Sequence, residues 1–239
     1  MTETMEVSKM TGARRRKAES GYARGEETRA RIIQTAMALF GERGFDGVST
    51  RDIAAQAGVP APSLQYYFEN KEGLYAACIA DIQASAMNAL GPALEAVEEL
   101  LHAKASDSQI IDAYCTMLDG LADFLFASPD ATSRALFIAR RIMPIKSTLV
   151  DSSKGPGSRV QDCCARIIAH LSDDSMMEEE HRLMAVTING QLLTFHFARE
   201  HLKLLLGTNE ITPERLQKIK QIVRRQTTLL LNSCRRKPG

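Results

Sequence analysis

The chain of 239 residues has no apolar run approaching the ~18 uninterrupted residues of a membrane-spanning helix, which excludes an integral helical membrane protein. No apolar signal segment opens it, so a cytosolic protein is expected. The five cysteines, Cys78, Cys115, Cys163, Cys164 and Cys234, show no C-x-x-C spacing, which argues against a zinc site and a disulfide framework. Small core residues or inert thiols is one reading of them, and a redox sensor is the rival. His102, His170, His181, His196 and His201 make no metal-ligand pattern: His196 and His201 are five apart, off a common helical face. Nothing resembles a nucleophile elbow, a phosphate loop or a metalloprotease motif, so no catalytic residue, metal or cofactor is expected. Strand signals are few, and excess charge is also missing, the net value being +1.

That small net charge hides an uneven distribution. From Met1 to Gly25 six basic residues face three acidic ones, whereas from Glu26 to Tyr75 five face seven. The first 25 residues have little periodicity and scattered Gly, Ser and Thr, so a flexible basic arm is expected over 1–25. Its one feature is Arg14-Arg15-Arg16-Lys17. Two readings stand, a solvated tail and an arm that lies on nucleic-acid phosphates or in a minor groove. The remaining length and a hydrophobic content of 44% suit a small domain followed by a larger one.

The most informative stretch runs from Ser49 to Lys71, STRDIAAQAGVPAPSLQYYFENK. Ser49 and Thr50 offer an N-cap oxygen, and Asp52 falls in a first turn, where negative charge is favoured. Ile53, Ala54 and Ala57 share the buried face of a short helix that Gly58 ends, because glycine accepts a left-handed backbone. A second helix is expected to start within Pro60–Ser63, since proline is tolerated in a first turn. Leu64 and Phe68 then point inward, four residues apart, with Ser63, Gln65 and Tyr66 outward and Tyr67 at the boundary. This is a helix-turn-helix, whose second helix enters a DNA major groove. Before it, Ile32, Ile33, Ala36, Leu39 and Phe40 form the apolar stripe of a helix expected over Glu26–Arg43, with Gly41 and Gly44 closing it and Phe45 folding back as core. Arg29 and Arg31 lie off that stripe as solvated charges or phosphate contacts.

These pieces at these spacings resemble the DNA-binding domain of the TetR family of bacterial transcriptional regulators. The resemblance is carried by Phe40, Gly44-Phe45, Thr50, Ala57-Gly58-Val59, Tyr66-Tyr67-Phe68 and Lys71-Glu72-Gly73-Leu74. It implies an all-α fold: a three-helix helix-turn-helix domain over 26–72, then a helical effector-binding and dimerisation domain over 73–239. Two departures fall on the DNA-facing surface. Ala61-Pro62-Ser63 stands where the family often has a lysine-glycine-threonine run, and Gln65 where tyrosine is usual. Carried over residue by residue, the resemblance implies that Thr50 caps its helix and binds phosphate and that Lys71 lies beside the backbone. Arg51 is read as either a guanine contact or a solvated arginine, Ser63 as a phosphate ligand and Gln65 as a reader of adenine. Tyr66 and Tyr67 divide between phosphate contact and core packing.

Beyond Leu74 long helices are expected: Leu74–Leu101, with a bend near Gly91-Pro92, then 107–127, 131–143, 159–171, one helix from about Met176 to Leu206, and Thr212–Ser233. Ile110, Tyr114, Met117, Leu118, Leu121 and Leu125 should face inward. Arg140 and Arg141 beside an apolar run read either as snorkelling surface arginines or as partners of an anionic effector. That region and the Gly190–Gly207 segment resemble the CecR-like branch of the family. Phe124, Phe137, Arg140, Met143, Phe195 and His196 are the effector-site candidates, chosen for type and rough position. In the family the last two helices of each subunit form a four-helix bundle with their mates, which assigns Leu216, Ile219, Val223, Gln226 and Leu230, with part of Leu183–Leu202, to a dimer interface.

The function expected from the resemblance is a ligand-responsive homodimeric repressor. Its partners would be double-stranded DNA bearing a pseudo-palindromic operator, a second copy of itself and a small-molecule effector, with no membrane. The alternatives are an effector-independent DNA-binding protein or activator, or a helical interaction module with a vestigial helix-turn-helix.

Overall fold

The structure, a computed structural model, describes residues 3–128, 130–142, 156–172 and 176–235, with side chains from Ala23 onward apart from those of 141, 142 and 156. The described residues form ten helices and no strand: α1 (Glu3–Arg43), α2 (Thr50–Gln56), α3 (Ala61–Phe68), α4 (Lys71–His102), α5 (Asp107–Phe126), α6 (Ala131–Ile142), α7 (Pro156–Leu171), α8 (Glu178–Phe197), α9 (Arg199–Leu205) and α10 (Pro213–Ser233). Two compact units divide between Ile79 and Ala80, within α4.

In the first unit, Ile32, Ile33, Ala36, Leu39 and Phe40 are buried, as their three- and four-residue spacing requires. Ile53, Ala54, Leu64 and Phe68 close over them from α2 and α3, and Leu74 and Cys78 from the start of α4. Phe45 stacks on Phe40 at 5.7 Å and meets Tyr75 edge-on at 5.2 Å. The first helix begins at Glu3 rather than Glu26, so the backbone of the basic segment continues α1. Its Arg, Lys, Glu and Ala residues are good helix formers, and extending an existing helix avoids the nucleation cost. The side chains of Arg14, Arg15, Arg16 and Lys17 lie outside the described residues.

The second unit is organised on α5. Ile110, Tyr114, Met117, Leu118 and Leu125 are buried as expected, and Leu121 is half-buried. At its centre Tyr114, fully buried, donates from Oη to Asn189 Oδ1 at 3.2 Å, and Asn189 Nδ2 donates to Gln161 Oε1 at 3.3 Å. The network gives a polar group inside an apolar core the partners it needs.

One helix expected from Met176 to Leu206 is two, α8 and α9, broken at Ala198 with φ −90° and ψ 22°. Apolar periodicity runs through the break, so the sequence pattern hides it. By contrast α4 continues through the exposed Pro92 as one helix.

The face of α10 requires a correction. Leu216, Ile219 and Val223, assigned to a dimer interface, are buried within the protomer. Ionic contacts flank that stripe and hold α10 on α5. Arg224 pairs with Asp112 at 2.5 Å and Asp119 at 3.0 Å, Lys220 with Asp123 at 2.6 Å, and Arg235 with Asp107 at 2.8 Å. A three-four spacing marks a covered face without saying what covers it. Gln226 and Leu230 remain exposed.

Candidate functional site

The helix-turn-helix is built from local hydrogen bonds. Ser49 caps α2: its Oγ accepts from the Asp52 amide at 3.1 Å, and its own amide donates to Asp52 Oδ2 at 3.0 Å. The Ser49 hydroxyl also donates to that carboxylate at 2.6 Å, and these bonds hold the Asp52 carboxyl below its ordinary pKa. Thr50, half-buried, is the first residue of α2, and Arg51 beside it is exposed. Thr50 shares an open recess of about 530 Å³ with Asp46, Gly47, Val48, Ser49, Asp52 and Lys71. The Lys71 ammonium lies 4.3 Å from the centre of the Phe45 ring, which fixes the stem of the lysine beside that recess.

Gly58, at φ +65°, turns the chain out of α2, and the Val59 amide donates to the Ala54 carbonyl at 3.0 Å. Helix α3 follows with Pro60 as N-cap and Pro62 in its first turn, so the proline within the departing Ala61-Pro62-Ser63 run keeps the helix start intact. Leu64 and Phe68 anchor it inward. Ala61, Pro62 and Gln65 are exposed, Ser63 and Tyr67 are half-buried, and Tyr66 is 84% exposed. The two tyrosine rings meet edge-on at 5.2 Å, which stiffens the outward one. Asn70 then caps α4, its Oδ1 accepting from the Gly73 amide at 2.7 Å. A Cβ on Gly73 would lie 2.4 Å from the Phe68 carbonyl oxygen, so only glycine permits this close junction.

Two arginines earlier in the chain prove to be braces. Arg31 donates from Nε to the Ala57 carbonyl at 3.1 Å, satisfying the end of α2, and the Arg29 guanidinium sits 5.4 Å over the Phe68 ring. Sequence reasoning left both open. Their turn of α1 gives no sign of what packs against it.

In the second unit the effector-site candidates scatter. Phe137 and His196 are buried, Phe124 and Phe195 half-buried, and Arg140 exposed, while Met143 lies outside the described residues. What the structure brings together around His196 is instead Phe126, Arg134 and Arg199, none of which the sequence reading chose. Arg134, 4% exposed, lies 4.3 Å over the Phe124 ring and donates to the Phe124 carbonyl at 2.8 Å and to the Ser128 hydroxyl. Arg199, 7% exposed, lies 5.3 Å over Phe126 and donates to Thr132 Oγ1 at 2.9 Å. A signal for each existed. Arg134 falls on the stripe Ala131-Arg134-Ala135, and Arg199 on Leu192-His196-Arg199, so an arginine interrupts an apolar face.

His196 carries a pH prediction. Burial, with the Arg199 guanidinium, pushes its imidazole from 6.5 down to about 4, against the opposing pull of the Leu125 carbonyl. A depressed histidine favours the neutral form in the fold, so its contribution is complete above pH 6.5 and is lost as pH falls toward 4. The loss is on the order of 3 kcal/mol. Denaturant unfolding at pH 7.5 and 4.5 should show a smaller acid loss in His196→Phe than in wild type, and an equal loss in both would contradict it. The cysteines offer no such lever. Cys78, Cys115, Cys163 and Cys164 are buried free thiols, and burial pushes Cys163 up to about 12.

The family profile of bacterial regulatory proteins of the tetR family matches residues 32–78, and that of the C-terminal domain of the HTH-type transcriptional dual regulator CecR matches residues 110–234. The dual regulator CecR of Shigella flexneri is 27% identical over 213 residues, spanning 87% of this chain and 93% of its own. Among solved structures, SmeT in complex with triclosan superposes with a TM-score of 0.59 at 16% identity, over 85% of this chain and 91% of that one. A transcriptional regulator from Rhodococcus sp. Rha1 gives 0.58 at 14% identity, over 88% and 99%. These two share the fold. With a helix-turn-helix profile over α1–α4 and a regulator's C-terminal profile over α5–α10, the chain belongs to the TetR family of DNA-binding transcriptional regulators and is not an enzyme.

Proposed function

We propose that this regulator is a ligand-responsive homodimeric repressor, working in the bacterial cytoplasm on a pseudo-palindromic operator. The observation that carries the DNA-reading part is the bare outer face of α3, where Gln65 and Tyr66 are exposed while Leu64 and Phe68 bury the inner face. In this reading Gln65 reads a base edge, Arg51 reaches a neighbouring one, and Thr50, Ser63, Tyr66, Tyr67 and Lys71 hold phosphates, with Ala61 and Pro62 against the backbone. The dimer reading is supported by apolar side chains left outside the protomer core. Leu183 (59% exposed) and Val186 (55%) lie on α8, and Ile222 (44%), Leu229 (66%) and Leu230 (37%) on α10. Gln226 lies between them, exposed.

Helix α4 runs unbroken across the boundary at Ile79 and Ala80, which supports it as the lever by which an effector in the second unit alters the first. Linkage requires that the effector bind the free form more tightly than the DNA-bound form.

The test is selection of genomic fragments by the purified protein near physiological salt, where nonspecific phosphate binding is suppressed. A recurring palindrome with half-sites about one or two helical turns apart supports a dimer on an operator. No enriched site, or an asymmetric one, contradicts the reading. CecR being a dual regulator, transcripts of the neighbouring genes are measured in a deletion strain, and repression predicts that they rise. For the basic segment, deleting residues 1–20 should flatten the salt dependence of binding, and an unchanged slope would return it to a solvated tail.

A further inference from the structure

We propose that the effector is a small organic carboxylate whose anionic group lies between Arg199 and His196 against the Phe126 ring, an assignment that rests on the ligand-responsive reading above. Arg199 and His196 both pack on Phe126, at 5.3 Å and 5.8 Å, where α5, α6, α8 and α9 converge. His196 is 1% exposed, and neither ring nitrogen completes a well-aligned hydrogen bond among the described residues, although the Leu125 carbonyl lies close enough to act on the ring's charge. A buried polar ring with incomplete hydrogen bonds is costly, so the site is built for something that supplies one.

The charges point the same way. Arg134 has Asp130 at 3.7 Å and Asp81 in its field. Arg199 has the Thr132 hydroxyl and, next along the chain, the exposed Glu200, with no carboxylate within ion-pair distance among the described residues. The Arg199 guanidinium also feels the charge of Arg134. Among the described residues Arg199 is therefore buried with no carboxylate paired to it, which suits a monoanion better than a doubly charged phosphate. A guanidinium fork with one neutral imidazole N–H matches a planar carboxylate. Phe126 and the half-exposed Phe197, 5.5 Å from His196, supply walls for an apolar body. Thr132 is exposed, so the Arg199 guanidinium lies one side chain beneath the surface, and the α8–α9 break at Ala198 separates it from His196.

The test uses the full-length protein with benzoate and phenylacetate, and benzamide and phenylacetamide as uncharged matches, followed by calorimetry and thermal unfolding. The carboxylates are expected to bind and raise the Tm, the amides not. Arg199→Met is expected to weaken carboxylate binding by about tenfold or more, the worth of one charge-assisted hydrogen bond. Without ligand it should unfold no earlier than wild type, because it removes a buried charge with no carboxylate paired to it among the described residues. His196→Phe, which keeps the ring packing, should weaken the same probes.

The proposal is overturned if wild type shows no carboxylate response, if the amides do as well, or if Arg199→Met responds like wild type. Operator release separates the two readings. Carboxylates that bind through Arg199 without changing operator affinity leave this site standing and sink the effector role. Release by neutral compounds alone does the reverse.

Discussion

Leu183→Glu combined with Leu229→Glu is expected to convert the proposed dimer to folded monomers and to weaken operator binding by about a hundredfold or more. Joining two half-site contacts in one particle makes the second intramolecular, and that gain disappears with the dimer. Both side chains are more than half exposed in the protomer, so a charge there costs the isolated fold little. Val223→Glu is the informative contrast. Val223 is 2% exposed against α5, and burying a carboxylate there should unfold the second unit instead of dissociating an intact one. Sedimentation with circular dichroism distinguishes the two. A double variant that stays dimeric would refute the α8–α10 face, and a folded, monomeric Val223→Glu would restore the interface first assigned to that stripe.

The second large effect separates reading from holding. Gln65→Ala should lose discrimination at one base pair by about 1–3 kcal/mol, while binding to mismatched sites changes little. Lys71→Ala should weaken all sequences alike and reduce the salt slope by about one. Its ammonium, held over Phe45 beside the Thr50 recess, is positioned as a point charge with no base-reading geometry. Binding curves for an operator and its single-base variants at several salt concentrations make the comparison. If Gln65→Ala leaves the order of preference among variants unchanged, α3 is docked differently from the proposal.

The helix-turn-helix was legible because its determinants are local. Ser49 with Asp52, Gly58, the prolines opening α3, and the pair Leu64 and Phe68 act over spans of three or four residues, so the order of residue types is close to the geometry itself. The close junction at Gly73 also stands in the motif as a letter, though only the Phe68 carbonyl beside it explains why glycine is needed.

Elsewhere the determinants are not local. Periodicity marked the covered face of α10, but Leu216, Ile219 and Val223 are covered by α5 of the same chain, selected by Asp112, Asp119 and Asp123 about a hundred residues away in sequence. Arg140 looked the better anion partner because it stands in an arginine pair, and it is exposed. Arg134 and Arg199 are the buried ones, because α6 and α9 turn those positions onto aromatic rings of α5. By itself the sequence determined the helical class, the family and the outward face of α3, all set by short-range spacing. Tertiary structure alone decided which apolar faces stay uncovered, where α8 breaks, and which arginine is buried with no carboxylate paired to it among the described residues, since each depends on what distant segments bring against it.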